Sequence, residues 1–527
     1  MKKRIIAVVA LVFMLASSLV MQSCGKNKTL DYMEDNLSKY VSISANDYKS
    51  FNVEIDIPNT SERDLPNEII GILCDNKITP DGPVTNKKNI TVGAGDVVNL
   101  YYRGYTLDDN GNKNYFTGGC NFDSETPTSL EIGSSSFVVG FEYNLIGKNQ
   151  KDYATMDKLT EGDLVGSNDT ISISYSVAYA DGNIKTSQGA LINLADENLD
   201  TVWGEGFAEY FKSKKLVVGD SYATGNDDKL SVKTTSTSST AADEDLYFDI
   251  TVEGAYRINA TEECPVLEIE AYFPYNYNEV SLQNKTAKFE VFIRTVQDYD
   301  TPEFDDKFVT DTIKMSQEEL AAYDGETLVE KYQSYLLAKL EHEYEDSVNS
   351  IIDNAFWDYI VDKAVFKKLP QGDIDASYKE MVYEVESAYI SYQNSYGSSS
   401  QFSNIDQFAR QYMGLASNVD WKEQLKADAE LSIKQKLIFY YIIRTEGFVP
   451  SATEVKEIKD DLYNEYLNSY LSYYGITSGA DDYDSKVESA KQFIDSQYDD
   501  AYWTTNAEYE YGMRKIRTYA NVTYKNK

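Results

Sequence analysis

Between about residues 90 and 300, hydrophobic and polar residues alternate in short segments that are typical of half-buried strands. The segment Asp96–Gly104 alternates in this way, and Ser129–Gly133 does so again after a turn signal at Asp108–Asn112. Two later segments, Ala271–Tyr277 and Asn284–Ile293, have the same character. This pattern predicts a strand-rich domain.

From Met315 onward the apolar period changes from two to about 3.6, which predicts helices. A capping box at Ser316–Glu319 comes first. One apolar stripe then consists of Leu328, Tyr332, Leu336, Leu340, Tyr344, Val348, Ile352 and Phe356. Further helices are predicted near 377–393, 421–445 and 451–474. Gly447 is predicted to end the second of these, and a capping box at Ser451–Glu454 to begin the third.

The order of motifs between Asp96 and Gly147 resembles the FKBP-type prolyl isomerase domain. A strand is followed by Phe122-Asp-Ser124, a second strand with a closing glycine, and a Gly140-Phe-Glu142 motif that opens a short helix. The form Gly-Phe-Glu-x-x-Leu-Ile-Gly is similar to the one in trigger factor. Later segments at 273–277 (Phe-Pro-x-x-Tyr) and 284–289 (Asn-Lys-x-Ala-x-Phe) also resemble trigger factor, as does the helical segment 436–447.

The resemblance implies an apolar pocket for a prolyl peptide bond. It assigns catalytic roles to Tyr102, Phe122, Asp123, Phe137, Val138 and Phe141, and substrate binding to Tyr277 and Phe289. Asp123 would organise polar contacts near the rotating bond. Thr128 lies where the family commonly has an aromatic wall, which implies weaker or altered turnover. Isomerisation only has to lower a rotational barrier that arises from amide resonance, so no cofactor and no metal are expected.

A second set of segments repeats the first in the same order. The parallels are Asp169–Tyr175 with Asp96–Tyr102, Ala190–Leu194 with Ser129–Ile132, and Gly206–Phe211 with Gly140–Glu142. A closing-strand pattern also occurs twice, at Leu246–Val252 and Ala287–Ile293. Two openings followed by two closings predict a degenerate FKBP-like unit, residues 161–258, inserted into the first. An unrelated β-rich insertion is the alternative. The inserted unit has no Phe-Asp-Ser motif and is not expected to catalyse, and its segment Lys233–Thr240 is predicted to be a mobile loop.

The first residues resemble a bacterial lipoprotein signal peptide. Basic residues Met1–Arg4 precede the apolar run Ile5–Val20, and Cys24 follows a small residue. Cleavage would leave Cys24 as a lipidated N-terminus; simple secretion or an uncleaved anchor are the alternatives. All three place the protein outside the cytoplasm. Residues 1–87 lack the ribosome-docking loop of trigger factor, so no ribosome binding is expected.

Composition restricts the partners and the chemistry. The formal net charge is −37, so nucleic acid and anionic membrane surfaces should repel the chain. Beside Cys24 there are three cysteines (Cys74, Cys120 and Cys264), an odd number whose pairing stays open. The single histidine, His342, lies between glutamates on a charged helix face and is interpreted as solvated surface. A His-based triad or a multi-His zinc site is therefore not expected.

The 44 tyrosines are unusually abundant, and two groups lie on predicted helices. These are Tyr383, Tyr389, Tyr392 and Tyr396, and Tyr463, Tyr466, Tyr470, Tyr473 and Tyr474. They could line a cradle for client polypeptides, because tyrosine combines a flat apolar ring with a polar tip. They could equally fill helix–helix interfaces with the hydroxyl outward. Both interpretations stay open.

The sequence thus predicts an α+β chain. The expected segments are a signal peptide (1–24), a tether and lead-in (25–87), an FKBP-like antiparallel β-sheet domain (88–300, interrupted by 161–258) and an all-α trigger factor/SurA-like chaperone domain (301–527). The resemblance implies an exported, membrane-anchored prolyl isomerase and chaperone for exported, unfolded or proline-containing polypeptides. A non-catalytic holdase that keeps the fold is the alternative. A surface glycan-binding lipoprotein is a third possibility, suggested by the tyrosines alone.

Overall fold

The computed structural model describes residues 30–78, 84–108, 111, 113–178, 184–194, 199, 215–223, 247–396, 402–476 and 482–525. The predicted signal peptide with Cys24, the segment Gly206–Phe211 and the predicted loop Lys233–Thr240 lie outside these residues, as does the side chain of Tyr396.

The strands in the described residues are β1 (Val41–Ser42), β2 (Phe51–Ile55), β3 (Val97–Leu107), β4 (Lys113–Cys120), β5 (Thr128–Glu131), β6 (Thr155–Leu159), β7 (Thr170–Ala178), β8 (Ile184–Asn193), β9 (Ser221–Ala223), β10 (Tyr247–Asn259), β11 (Leu267–Tyr272), β12 (Thr286–Gln297), β13 (Val365–Phe366) and β14 (Ala520–Tyr524). The α-helices are α1 (Ala45–Tyr48), α2 (Ser61–Asp75), α3 (Leu328–Lys363), α4 (Gln371–Tyr396), α5 (Ile405–Tyr412), α6 (Trp421–Glu446), α7 (Ala452–Tyr473), α8 (Tyr483–Gln497) and α9 (Asp500–Arg517). Short 3-10 turns lie at Leu37–Lys39, Tyr143–Leu145, Gln150–Asp152 and Val280–Leu282, and a π-helical turn at Phe308–Thr312. None of these helices combines the length and the apolar character needed to cross a bilayer.

Contacts within the chain define two compact units. We call residues 58–341 the sheet unit, and residues 1–57 together with 342–527 the helical unit. The boundary at 341 falls inside α3. The units therefore differ from the segments expected at 25–87 and 301–527: the described residues 30–57 belong to the helical unit, and residues 301–341 belong to the sheet unit.

The first sheet of the sheet unit is antiparallel, with strand order β11–β12–β3–β4 and with β5 also paired to β3. Because side chains alternate between the faces of a strand, each face has its own set. Tyr102 is paired with Val291 on one face, and Arg103 with Glu290 on the other. The first face is covered by apolar side chains, and the second face lies against the second sheet.

The second sheet has the order β6–β10–β7–β8, with β9 also paired to β10. Its central antiparallel pair β10–β7 corresponds to β12–β3 of the first sheet, and β8 lies beside β7 as β4 and β5 lie beside β3. The two sheets therefore have the same arrangement of paired strands around their central antiparallel pair. Descent of the second sheet from a copy of the first stays a prediction. A cluster of buried residues joins the sheets: Tyr101, Phe122, Met156, Tyr256 and Phe292.

Helix α2 explains why residues 301–341 belong to the sheet unit. One side of α2 contributes Ile70 to the core on the first sheet. Its other side contributes Leu65, Ile69 and Ile72 to a cluster of residues from 304 to 336, in which Val309 is fully buried. The helix is thus covered on two sides, and the segment after the last strand is held against it.

The helical unit is built around α6, whose residues Leu437, Ile438 and Ile442 are fully buried. The N-terminal segment supplies part of the same core. Strand β2 pairs in parallel with β14, and its alternate residues, beginning with Phe51, are buried. Residues 30–57 are therefore a packed segment, as expected of the lead-in part of 25–87. The alternation along β2 is a local pattern, and it does not indicate which core the strand joins.

Most helix ends lie close to their predicted positions, because local signals determine them. Gly447 adopts a left-handed conformation (φ 68°) and ends α6, and the capping box at Ser451–Glu454 begins α7. The box at Ser316–Glu319 also forms, but it encloses a turn. Helix α3 begins later, after a second reciprocal pair between Thr327 and Glu330. The helix expected at 377–393 begins earlier than predicted. Its first residue is Gln371, which directly follows Pro370.

The described cysteines, Cys74, Cys120 and Cys264, are all unpaired thiols. The sequence left their pairing open, and with Cys24 lipidated, as predicted, the remaining three cysteines would include at least one free thiol.

Candidate functional site

Aromatic side chains gather on the first face of the first sheet. The ring of Tyr102 meets the rings of Phe137, Phe141 and Phe289 edge-on, with centroid separations of 5.3, 5.7 and 6.1 Å. Phe137 lies 4.4 Å from Phe141, and Phe141 lies 5.0 Å from Phe289. We call these four rings, together with Phe116, Phe273 and Tyr277, the aromatic cluster. Edge-to-face pairs of this kind favour one fixed arrangement of the rings.

The cluster has a buried floor and a partly open rim. Phe141, Phe273 and Phe289 are buried in the sheet core. Tyr102, Phe116, Phe137, Val138 and Tyr277 are half-buried and pack on that core. The structure thus brings together Tyr102, Phe137, Val138, Phe141, Tyr277 and Phe289, which the resemblance assigned to one pocket. Their catalytic or binding roles stay predictions.

Phe116 is a member of the cluster that sequence reasoning missed. Its ring is 5.9 Å from Phe289 and 5.6 Å from Phe273, and nearly perpendicular to both. It fits because Gly104 and Gly119 have no side chain: a Cβ on either would lie within 2.5 Å of the ring. The stretch after the turn at Asp108–Asn112 has little alternation of apolar and polar residues, so no strand was predicted there. The register of β4 places Tyr115 opposite Tyr105, and therefore Phe116 on the other face.

A buried carboxylate fixes the loop that carries Phe137. Glu142 accepts hydrogen bonds from the backbone N–H groups of Gly133, Ser136 and Phe137, at 2.8, 2.8 and 3.1 Å. The carboxylate thus satisfies backbone N–H groups of this loop that would otherwise need a partner on a neighbouring strand. The predicted helix after Gly140 is a single 3-10 turn, Tyr143–Leu145. The Glu of the Gly-Phe-Glu motif therefore acts as an anchor of the loop.

A buried amide anchors Tyr102. Asn121 Oδ1 accepts a hydrogen bond from the Tyr102 backbone N–H at 2.7 Å. Its Nδ2 group donates to the hydroxyl of Thr128 at 2.8 Å. Thr128, which stands where an aromatic wall was expected, is paired with Leu100 in the sheet and makes this polar contact to Asn121.

The structure corrects the placement of Phe122. Its ring is fully buried against Phe292 (5.6 Å) and Tyr256 (5.4 Å), in the cluster between the two sheets. Phe292 and Phe289 are three residues apart on one strand and so face opposite sides. Phe122 therefore cannot be a wall beside Phe289. Asp123, the next residue, is exposed. Burial raises the pKa of Tyr256, and the charge of Asp123 raises it further.

The site offers apolar surface and neutral polar groups. Burial raises the pKa of Tyr102, so its hydroxyl stays protonated. Burial also raises the pKa of the neighbouring Cys120 thiol to about 12, so this cysteine is not a thiolate nucleophile at neutral pH. Such an arrangement can bind an apolar side chain and exclude water from an amide, but it is not suited to covalent catalysis.

The tyrosines of the two groups in the helical unit include members that fill helix–helix interfaces and members that are exposed to solvent. Tyr463 and Tyr466 pack edge-on against Trp503 and are part of a buried cluster. Tyr383 and Tyr473 are each 70% exposed. A cavity of about 310 Å³ adjoins the buried cluster; its lining includes Tyr463, Tyr498, Trp503 and the carboxylates of Asp460, Asp495, Asp499 and Asp500.

Comparison with known proteins identifies the helical segment. Residues 328–469 match the family model for the bacterial trigger factor C-terminus. This range runs from the first residue of α3 into α7. The helical region expected from the resemblance to trigger factor is thereby supported.

Trigger factors are also found among curated relatives. The trigger factor of Streptococcus gordonii is 30% identical over 200 residues, and that of Streptococcus equi subsp. zooepidemicus is 28% identical over 200 residues. Each alignment covers 38% of this chain and 42% of the relative, so the chain matches less than half of either relative's length. A solved chain described as "Promiscuous Substrate Recognition in Folding and Assembly Activities of the Trigger Factor Chaperone" aligns over 69% of this chain and 62% of its own length, with 11% identity and a TM-score of 0.20.

Proposed function

We propose that this trigger factor-like chain is a folding chaperone that binds unfolded polypeptides and isomerises their prolyl peptide bonds at the aromatic cluster. The observation that carries the proposal is the joint geometry of Tyr102, Phe137, Phe141 and Phe289: a buried aromatic floor with a half-open rim on a rigid sheet. The match of residues 328–469 to the trigger factor C-terminus supports the chaperone part.

The physical basis of isomerisation fits this surface. Rotation about a prolyl bond breaks amide resonance, and the barrier is about 18–20 kcal/mol. A twisted amide is less polar than a planar one, so a dry aromatic surface favours the twisted state over the ground state. In our proposal the proline ring lies on Phe141 and Phe289, and Phe137 and Tyr102 exclude water at the rim. No nucleophile or proton carrier is required.

Exposed aromatic residues support the chaperone part. Tyr383, Tyr473 and Tyr474 are exposed on the helical unit, and Phe493 is 45% exposed. Aromatic groups contribute a large contact area with few rotatable bonds, which suits transient binding of apolar segments. We propose that these residues contact client polypeptides.

Replacing Phe137 by Ala tests the isomerase. The side chain is half-buried at the rim, so its loss should leave the fold intact and open the floor to water. We expect kcat/KM for an Ala-Phe-Pro peptide to fall by about tenfold or more, which corresponds to about 1.4 kcal/mol of transition-state stabilisation. The measurement is protease-coupled or NMR exchange-based isomerisation with the chain from Gly25.

The matched control is Tyr143→Ala, which removes an exposed aromatic ring six residues away that does not belong to the aromatic cluster. It should keep wild-type turnover. Equal rates for Phe137→Ala and the wild type would contradict the assignment of this site. Background rates for the wild type, combined with suppressed aggregation of an unfolded client, would favour the non-catalytic holdase instead.

We propose further that the protein is exported and held at a membrane through a lipidated Cys24, where it acts on exported polypeptides. The basic start, the apolar run and the position of Cys24 support this. Mass spectrometry of the N-terminal peptide from the native host should find an acylated cysteine at position 24. An intact Met1 or an unmodified start would overturn lipidation.

A further inference from the structure

The only histidine of the chain lies at a point where two carboxylates converge. His342 and Asp346 are one turn apart on α3, and Glu465 reaches them from α7. The Nε2 atom of His342 is 3.3 Å from Glu465 Oε1 and 3.8 Å from Asp346 Oδ2. All three ligand atoms lie within 4.8 Å of one another. The sequence predicted only a solvated helix face here, because Glu465 is more than a hundred residues away along the chain.

We propose that His342, Asp346 and Glu465 bind one divalent transition-metal ion, with Zn²⁺ as the preferred ion under cellular conditions. Donors at 2.0–2.2 Å from a tetrahedral Zn²⁺ are about 3.3–3.6 Å apart. The two separations that involve the imidazole, 3.3 and 3.8 Å, lie close to this range, and rotation of the Asp346 and Glu465 side chains would bring the third separation, within 4.8 Å, into it. Three protein ligands leave a fourth position for water.

The chemistry of the donors selects the class of metal. An imidazole nitrogen binds Zn²⁺, Ni²⁺ or Cu²⁺ well, whereas Ca²⁺ and Mg²⁺ prefer an all-oxygen shell. The pattern of His at position i and carboxylate at i+4 also suits a helix, since residues four apart project from the same face. The third ligand comes from a different helix, so a bound ion would cross-link α3 to α7.

The local charge favours a cation. In the ion pairs of the described residues, the partner of both Asp346 and Glu465 is the imidazole of His342, which carries a positive charge only when it is protonated. Further carboxylates surround the site: Glu345 on α3, Asp461 on α7 and Glu510 on α9. The guanidinium of Arg517, whose charge also acts on Asp346, is already held by Asp353 and Glu510. Two carboxylates that face one imidazole repel each other unless a cation lies between them.

The three side chains are accessible to a metal from solution. They are 56%, 54% and 51% exposed, so binding needs no unfolding. The site lies wholly in the helical unit and shares no residue with the aromatic cluster. The inference is therefore independent of the proposed function. A bound ion would stabilise the contact of α3 with α7, because a ligand that binds only the folded state shifts the folding equilibrium.

The test uses the metal-free full chain from Gly25 and isothermal titration with Zn²⁺, with Mg²⁺ and Ca²⁺ as comparison ions. We expect one Zn²⁺ site per chain and a higher unfolding midpoint when the site is filled. His342→Ala and Glu465→Gln should each weaken that site by about tenfold or more, since removal even of groups that only support metal ligands costs 10–100-fold. Substituting Co²⁺ should give a visible absorption band that His342→Ala abolishes.

Asp460→Asn is the matched control. Asp460 lies on α7, as Glu465 does, and its exposed carboxylate is paired with Lys456. It should leave Zn²⁺ affinity unchanged. Binding of several ions with no change in His342→Ala would indicate adventitious uptake by the acidic surface and would overturn the proposal. The absence of a one-to-one Zn²⁺ isotherm in the wild type would overturn it as well.

Discussion

Replacing Arg103 by Ala is expected to lower the free energy of unfolding of the sheet unit by up to about 3–5 kcal/mol, the cost of breaking a buried ion pair by removing one partner. Arg103 is 7% exposed and lies between the two sheets. Its Nε atom donates to Glu290 on β12, and its Nη1 atom donates to the hydroxyl of Thr170 on β7 at 2.6 Å. One side chain thus joins three strands of two sheets.

The large effect follows from what remains after the substitution. Glu290 is 3% exposed, and it would keep only the ammonium of Lys113 at 2.8 Å and the hydroxyl of Tyr115 at 3.2 Å. Thr170 would lose a charged donor in a site without water access. A buried carboxylate with fewer donors is costly, and the apolar stem of Arg103 would no longer fill the space beside Phe122.

Hydrogen exchange of the β3 and β7 backbone amides, followed by mass spectrometry, measures this effect inside the sheet unit. Lys288→Ala is the control, because Lys288 lies two residues from Glu290 on the same face of β12 and forms only an exposed 3.7 Å pair with Glu270. It should change the free energy of opening by less than about 1 kcal/mol. Similar exchange for both variants would contradict the role of Arg103.

Replacing Phe51 by Ala is expected to destabilise the helical unit by about 3–5 kcal/mol, the usual cost of a buried phenylalanine. Phe51 is 3% exposed, and its ring centroid is 5.3 Å from that of Phe356 on α3. Its strand β2 pairs with β14, which follows α9 at the other end of the chain. The loss of the ring leaves a cavity where three distant segments meet.

The same exchange measurement on the backbone amides of α6 detects the change. Glu54→Ala is the control on the same strand, because its ion pair with Lys525 is exposed at both ends. It should have little effect. A Phe51→Ala variant with unchanged α6 exchange would mean that residues 30–57 are dispensable for the helical core.

Local patterns account for much of the fold. The period of two between Asp96 and Tyr102 and the period of 3.6 after Leu328 are properties of neighbouring residues, and the strands and helices follow them. Gly447 and Ser451 set helix ends for the same reason. The pattern failed at β4, since Lys113–Cys120 holds two aromatic residues beside two glycines and has little alternation. Phe116 was missed with it.

The candidate site shows the limit of this reasoning. Tyr102 and Phe289 lie in regular strands, so their common face could be deduced from alternation. Phe122 follows a strand end in a loop, where the period of two no longer applies, and its face was assigned from a motif. The inter-sheet contact with Tyr256 decided it. That contact depends on how the two sheets pack, which no local pattern specifies.

The sequence by itself determined the element types, many helix ends, the acidic charge and the resemblance to trigger factor. Tertiary structure alone decided that β2 joins the helical core, that Phe116 instead of Phe122 completes the aromatic cluster, and that Glu465 meets His342. The physical reason is common to all three. Periodicity and capping depend on residues within a few positions of each other, whereas pairing between distant segments depends on which buried surfaces fit together, and only the folded chain selects among them.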